Sequence, residues 1–266
     1  MHAVLTAAVV MLATWDAWRW YFVRVSAAPE EALALLLTVV LLGLLAINRQ
    51  PPPALARALP LPTLAFLLAV YATSEAFLPP IVRAGIAAIA VLFALYLAAF
   101  RQRPPLALCG LTALALPVLP SLQFTLGYPM RIISAALAVP LLQAHGLDVA
   151  RQGTFLLWRD EMIQFDAPCS GVNMLWAGLL LTLVGCVLLR LHPLKVMVAV
   201  ALSLLLAIAG NVLRASSLFY VEAHLVAQAP GWWHEGIGIA AFAVTAAATL
   251  RLLIALRQWE PKPWLA

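Results

Sequence analysis

Runs of apolar residues, each about as long as one membrane crossing, constrain the fold of this chain more than any other feature. A helix needs about 20 apolar residues to cross a hydrocarbon layer of ~30 Å. Hydrophobic side chains make up 65% of the 266 residues and charged ones only 10%, a composition that soluble domains do not sustain. The sequence therefore predicts an all-α integral membrane protein. The runs are 3–22, 31–47, 60–78, 81–100, 105–122, 131–145, 171–190, 194–216 and 234–256.

The segments between these runs predict a single domain. They are short and rich in proline or charge, and we find no internal repeat and no low-complexity linker. We therefore predict one polytopic membrane domain over residues 1–266, with about eight spanning helices. The start of the first run, Ala3 to Ala13, has the length of a signal-peptide core, but Trp15 to Arg19 follows it in place of a cleavage site of small residues. We expect it to remain as an uncleaved first helix.

Lysine and arginine residues near the runs predict the orientation in the membrane. If the helices alternate, nine of these cations lie on one side, which we take as cytoplasmic, and seven on the other. Every acidic residue except Glu260 then lies on the outer side. Arg103 is inside and Cys169 outside, so the runs 105–122 and 131–145 cannot both cross. We expect 131–145, which is shorter and begins with Pro129-Met130-Arg131, to be an amphipathic helix at the outer interface or one that dips partway into the membrane. The nine cytoplasmic cations are Arg49, Arg57, Arg101, Arg103, Arg190, Lys195, Arg251, Arg257 and Lys262.

The segment 147–167 differs from the apolar runs in composition. It mixes β-branched and aromatic residues with charges, a pattern that favours short strands. Trp158 to Met162 is typical of a turn between two of them. We predict a small β-hairpin on the outer face that leads directly into Cys169.

Cys169 lies where this polar segment ends and a long apolar helix begins. Near a helix N-terminus, the helix dipole and the unpaired backbone N–H groups favour the reactive thiolate. Either Asp166 or Ser170 is expected to cap the helix, and Gly171 permits close backbone approach by a substrate. The other two cysteines, at 109 and 186, lie inside apolar runs, where we expect small core side chains and no disulfide framework.

Two further polar residues are expected at the outer ends of the next helices. Arg214 is costly inside a membrane, and Asn211, three residues earlier, shares its helical face. His234 follows two tryptophans that suit the membrane interface, and histidine exchanges protons near neutral pH. His224 is the rival candidate for that role. Cys169, Arg214 and His234 are therefore the candidate catalytic residues, with Asn211, Ser170 and Gly171 in support.

Other classes of site are not indicated. Cys169, His224, His234 and Glu235 contain no closely spaced ligand pair, so we predict no metal, and no nucleotide fingerprint suggests a cofactor. The net charge of +5 comes from scattered arginines, which does not favour nucleic acid as a partner. A small transporter or scaffold that binds its substrate through Arg214 and His234 remains the main alternative. A thiol-redox enzyme is disfavoured because no resolving cysteine lies near Cys169.

The motifs between residues 165 and 240 resemble those of the exosortase/archaeosortase family of membrane cysteine transpeptidases and proteases. They are Pro-Cys-Ser-Gly at 168–171, Asn-x-x-Arg at 211–214, and His234 with Gly236 and Gly238. Members typically have about eight membrane helices and act on secreted proteins with a C-terminal sorting signal, PEP-CTERM in many bacteria. That signal is a short motif, a transmembrane helix and a basic tail.

The resemblance implies a role for each residue of the trio. Cys169 is similar to the family's nucleophile, Arg214 to the residue that stabilises the transition state, and His234 to the general acid/base. It further implies a location in the inner (cytoplasmic) membrane, with the active site facing the periplasm or exterior. Many members have alanine at the position of Pro168 and a basic residue at that of Asn173. These differences leave the subfamily and its recognition motif undetermined. The sequence also does not determine the oligomeric state.

Overall fold

Ten helices and one small sheet make up the described part of the chain, which comprises residues 2–27, 32–48, 60–159, 161–164, 170–226, 230 and 232–259 of a computed structural model. The helices are α1 (His2–Ala13), α2 (Trp15–Val25), α3 (Ala32–Asn48), α4 (Pro60–Thr73), α5 (Pro80–Phe100), α6 (Leu106–Leu114), α7 (Leu119–Ala144), α8 (Val172–Leu188), α9 (Pro193–Glu222) and α10 (Trp233–Gln258). The strands are β1 (Val149–Gln152), β2 (Phe155–Trp158) and β3 (Glu161–Gln164).

The length and composition of the helices confirm a mainly helical, multi-pass membrane architecture. Among the described residues, α5, α7, α9 and α10 are long and apolar enough to cross a membrane. Shorter apolar helices lie within α1, α3, α4 and α8. The count of about eight spans stays a prediction, as does the single domain over 1–266.

Contacts between residues divide the chain into two compact units. The first comprises residues 1–118 and 183–196, and the second comprises 119–182 and 197–266. In the first unit, α1, α2 and α4 pack against α5. The hydroxyl of the buried Tyr21 in α2 donates a hydrogen bond to the carbonyl oxygen of Ala115 at 2.9 Å.

The run 3–22 forms two helices instead of the one that was predicted. The break is at Thr14, which has φ −115° and ψ 28° and separates α1 from α2. The Thr14 hydroxyl donates to the carbonyl oxygen of Val10 at 2.8 Å. A threonine hydroxyl bonded to the carbonyl oxygen four residues earlier tends to bend a helix. Because this bond does not alter the pattern of apolar residues, the pattern did not predict the break.

Helix α7 corrects the predicted boundaries of the runs 105–122 and 131–145. Helix α6 ends at Leu114, and α7 then runs on without interruption to Ala144. The stretch predicted as a separate interfacial helix is the second half of α7. The nine residues of α6 extend about 14 Å, too short for a crossing, whereas the 26 residues of α7 extend about 39 Å. We therefore assign the expected single crossing to α7, and its placement in the membrane stays a prediction.

Prolines account for the misplaced helix boundary. The sequence suggested a helix beginning at Pro129, since proline is favoured in the first turn. In the structure Pro120 lies in the first turn, whereas Pro129 and Pro140 lie inside the helix. Met130 and Ser134 are buried on its packed face. Packing of that face and neighbouring polar groups compensate for the backbone hydrogen bonds that the two internal prolines remove.

The segment 147–167 forms three antiparallel strands instead of the predicted two-stranded hairpin. The strands lie in the order β1-β2-β3, each paired with the next. The predicted turn after Trp158 is present, but an additional turn lies at Gly153 and Thr154. Gly153 has a φ of 62°, as tight hairpin turns require. Strand β1 was missed because only Val149 is buried in it, so its apolar alternation is weak.

The sheet packs against α7 and the C-terminal part of α9, all within the second unit. Ala215, Phe219 and Ala223 of α9 contact it at four-residue spacing, which makes them one face of the helix. Asn211 lies one turn earlier on the same face. The sheet ends at Gln164, eight residues before α8 begins at Val172.

Candidate active site

The residues that follow the predicted nucleophile form the start of α8. Cys169 itself lies outside the described residues. The side chain of Ser170 is 1% exposed, and its Oγ accepts a hydrogen bond from the backbone N–H of Val172 at 3.4 Å. Of the two predicted caps, Ser170 thus contacts the first turn, whereas Asp166 is outside the described residues. Gly171 has a φ of 81°, a conformation that favours glycine.

The Asn211 side chain, and not open space, lies against Gly171. A β-carbon on Gly171 would overlap Cγ of Asn211 and lie 2.6 Å from its Nδ2. The predicted close approach of a substrate to the Gly171 backbone stays a prediction, and the space of the missing side chain is taken by Asn211. The glycine lets α9 approach the chain immediately after Cys169.

Asn211 is held in this position from a third helix. It is fully buried, and its Nδ2 donates a hydrogen bond to Oγ of Ser134 in α7 at 2.8 Å. A buried amide is stable only when hydrogen bonds replace those that water would make. Asn211 therefore joins α7, α9 and the start of α8 at one point.

A glycine on α10, one helical turn after His234, lies against Arg214. A β-carbon on Gly238 would lie 3.4 Å from Nε of Arg214 and 3.8 Å from Cζ. The guanidinium therefore packs directly against the α10 backbone. His234 lies four residues before Gly238, so the two positions share one helical face on successive turns. Both Arg214 and His234 are half-buried.

The rival histidine lies in a different environment. His224 is exposed and has a φ of 50°, two residues beyond the end of α9. Arg214 lies more than two helical turns before that end, about 12 Å along the axis from Glu222. The structure thus places His234, and not His224, on a face that Arg214 contacts.

Gln123 in α7 is a site residue that sequence reasoning missed. Its Oε1 accepts a hydrogen bond from the hydroxyl of Ser170 at 3.1 Å, and its Nε2 donates to Oδ1 of Asn173 at 2.9 Å. Ser134 was missed as well. The two residues are eleven apart, which is three helical turns, so they lie on one face of α7. Other polar side chains on α7, such as Thr125, Arg131 and Gln143, make this spacing inconspicuous in the sequence.

Close contacts hold the helices that carry these residues. A β-carbon on Gly210 would overlap Oγ1 of Thr245 and lie 3.1 Å from Sδ of Met174, so α8, α9 and α10 meet there. Farther along the second unit, Thr182 of α8 donates to Oγ of Ser203 in α9 at 2.7 Å. Hydrogen bonds of this kind are typical of helix pairs in membranes.

The described part of the site combines a cation with a proton-transfer group. A guanidinium can stabilise an oxyanion, and an imidazole can move a proton to or from a reacting atom. Asn211, one turn before Arg214 on α9, packs against Gly171, the residue after Ser170. Among the residues described, no three His, Cys, Asp or Glu side chains are arranged to hold a metal ion.

Comparison with known proteins gives one match. A family model described as transmembrane exosortase matches residues 1–251, which include every motif on which the resemblance was based. No curated protein and no solved structure matches the chain. The match confirms the predicted family and supports, in general terms, a membrane enzyme of the transpeptidase or protease type. The chain belongs to the transmembrane exosortase family.

Proposed function

We propose that this chain is a membrane-embedded cysteine peptidase or transpeptidase that cleaves the C-terminal sorting signal of secreted proteins. The signal has a short motif, a transmembrane helix and a basic tail. Cleavage takes place at the outer face of the inner membrane. Cys169 is the nucleophile, Arg214 stabilises the transition state and His234 is the general acid/base.

The observation that supports this proposal most strongly is the contact between Arg214 and Gly238. It places a guanidinium one turn from His234 on the same face of α10. On α9, Asn211 lies one turn before Arg214 and packs against Gly171, two residues after the nucleophile. In the sequence, Cys169 comes directly before Ser170 and two residues before Gly171.

The proposed reaction proceeds through a thioester. The Cys169 thiolate attacks the scissile carbonyl carbon, and the carbonyl electrons move onto oxygen beside the Arg214 guanidinium. As the C–N bond breaks, the His234 imidazolium gives its proton to the leaving amine. Water or an acceptor amine then attacks the thioester and loses a proton to His234. The C–S bond breaks, which restores the thiolate and releases the processed protein.

Location in the membrane suits a substrate that carries its own transmembrane helix. The helix confines the cleavage motif to the same bilayer and to one depth within it. Such confinement raises the effective concentration of the scissile bond near the thiolate. The chain needs no separate high-affinity pocket for the whole secreted protein.

The packing of α8, α9 and α10 against one another favours this proposal over the transport alternative. A transporter needs a polar path from the site toward the other face of the membrane. Within the described residues, the hydroxyls of Thr182 and Ser203 are fully buried and bonded to each other between α8 and α9. Gly210 brings α8, α9 and α10 into direct contact. This close packing does not favour a polar path between the three helices.

Co-expression with a secreted protein that carries a candidate C-terminal signal tests the proposal. We expect the wild type, Cys109→Ala and Cys186→Ala to cut it and Cys169→Ala to leave it uncut. The two controls remove thiols that lie inside α6 and α8. Cutting by Cys169→Ala at the wild-type rate would exclude the proposed nucleophile. A covalent substrate adduct released by hydroxylamine would identify the thioester.

A further inference from the structure

We infer that Gln123 is a positioning residue for Cys169, which it aligns through Ser170 and Asn173. The inference rests on the proposed function, since it takes Cys169 as the nucleophile. Gln123 makes both bonds with one amide group, and we call this pair of bonds the Gln123 bridge.

The Gln123 bridge spans the first turn of α8 from outside that helix. Ser170 Oγ donates to Gln123 Oε1 at 3.1 Å, and Gln123 Nε2 donates to Asn173 Oδ1 at 2.9 Å. Ser170 Oγ also accepts from the N–H of Val172. The Ser170 hydroxyl thus donates to Gln123 in α7 and accepts from the backbone N–H of Val172 in α8. Two bonds in opposite directions define the rotation of the side chain next to the nucleophile.

An amide suits this task better than other side chains of the same length. It has an acceptor on one atom and donors on the other, whereas methionine has no donor and only a weak acceptor, and an ionised glutamate only accepts. A polar side chain in an apolar helix is costly, so its retention is usually linked to function. The bond from Asn211 to Ser134, on the same face of α7, holds the other side of the Gly171 turn.

The orientation of a nucleophile affects its reaction rate more than it affects substrate binding. A reacting atom displaced by about 1 Å can lose on the order of 100-fold in rate. The substrate's transmembrane helix supplies its binding independently of that orientation. Loss of the bridge should therefore lower kcat and leave KM nearly unchanged.

The test measures alkylation of Cys169 by iodoacetamide in full-length protein that carries Cys109→Ala and Cys186→Ala. We compare Gln123→Met, Ser170→Ala, the double variant and Gln143→Met. Gln143 is a matched control, because it lies on α7 and its Nε2 donates instead to the carbonyl oxygen of Val149 in β1. Each single change at the bridge should slow alkylation by about three- to tenfold, the equivalent of one hydrogen bond. The double variant should be no slower than the slower single variant, and Gln143→Met should match the parent.

A second measurement separates positioning from a merely structural effect. Gln123→Glu retains an acceptor for Ser170 but puts a carboxylate beside the residue that follows Cys169 in the chain. Because a nearby negative charge disfavours the thiolate, the pH profile of alkylation should move to higher pH. In the processing assay, Gln123→Met should lower kcat with KM unchanged.

Several results would overturn the inference. One is an equal alkylation rate in all the proteins, including the case in which none of them reacts. Another is a loss in the double variant that equals the sum of the two single losses. The third is a loss in Gln143→Met as large as the loss in the bridge variants. The proposed function is judged separately, by whether Cys169→Ala still processes the substrate. Slower alkylation in Gln123→Met together with active Cys169→Ala would support the bridge and exclude the nucleophile. An inactive Cys169→Ala with unchanged alkylation in Gln123→Met would support Cys169 as the nucleophile and exclude the Gln123 bridge.

Discussion

The side chain of Asn211 fills the space that a β-carbon on Gly171 would need. The contact joins α9 to the turn that starts α8, and it does so two residues from Cys169. Gly171 is therefore required for two separate reasons, its left-handed backbone and its missing side chain. A second glycine that has a left-handed backbone, but open space where its side chain would be, therefore serves as a control for the contact with Asn211.

Replacing Gly171 with alanine should abolish processing and destabilise the fold. Alanine in a left-handed conformation costs about 1–2 kcal/mol, and the overlap with Asn211 adds to that cost. Gly146→Ala is the control, because Gly146 has the same φ of 81° but nothing within 4 Å of its missing β-carbon. Processing and thermal unfolding in detergent should show a larger loss for Gly171→Ala. Equal losses for the two variants would mean that the contact with Asn211 contributes nothing.

Enlarging Gly238 should reduce activity by displacing Arg214. A leucine side chain would extend from a position 3.4 Å from Nε of Arg214 and push the guanidinium away from the α10 face that carries His234. We expect at least about a 100-fold loss of processing, comparable to the removal of one oxyanion donor. Ala240→Leu, at an exposed position two residues along α10, should retain normal processing. Wild-type rates for Gly238→Leu would argue against a role for Arg214 in the transition state.

The two candidate histidines should differ sharply when each is changed to alanine. His234→Ala should lower processing by about 100-fold or more, because general acid/base catalysis contributes that much. His224→Ala should process normally, since this residue is exposed beyond the end of α9. Initial rates of substrate cleavage, normalised to the amount of enzyme in the membrane, provide the measurement. The reverse pattern would assign the proton-transfer role to His224.

Removal of the Ser134 hydroxyl should destabilise the protein through Asn211. Ser134→Ala deletes the acceptor of a buried hydrogen bond of 2.8 Å between α7 and α9. Hydrogen bonds between membrane helices contribute about 0.6 to 1.7 kcal/mol, and we expect a loss in that range. Ser217→Ala, which removes an exposed hydroxyl on α9, should leave the free energy of unfolding unchanged. A Ser134→Ala variant as stable as the wild type would show that this bond adds no net stability.

Labelling of single cysteines in intact cells tests the predicted orientation. In protein lacking the three native cysteines, Arg159→Cys in the turn between β2 and β3 should react with a membrane-impermeant maleimide. Arg103→Cys, between α5 and α6, should react only after the membrane is permeabilised. Both residues are exposed, so accessibility to solvent is matched. Labelling in the opposite order would reverse the assigned topology and place the site on the cytoplasmic side.

Much of the fold was predictable because hydrophobic run length is a local property. The apolar runs identified the span-length helices α5, α9 and α10, but they divided α7 between two runs, one of which was predicted to lie at the interface. The errors occurred where local signals were misleading or weak. Thr14 bends its helix through one hydroxyl, Pro129 lies inside a helix that it was expected to begin, and β1 buries only Val149.

The candidate site was predictable only in part. The sequence nominated Arg214 and His234 because polar side chains at the ends of apolar helices are conspicuous, and Asn211 because it is three residues from Arg214; their roles stay predictions. Gln123 and Ser134 had no such local marker. Their partners are 47, 50 and 77 residues away along the chain, and those separations carry no information about proximity until the helices are packed.

By itself the sequence determined that this protein is helical, crosses the membrane several times and belongs to its family. These properties follow from apolar run lengths and from short motifs, both of which are readable without long-range contacts. Only the tertiary structure decided which neighbour each polar group has. It placed Asn211 against Gly171 and the Arg214 guanidinium one turn from His234, because glycines at two helix contacts leave room for those side chains. Close packing between distant segments, and not the pattern of any one of them, brings these groups together.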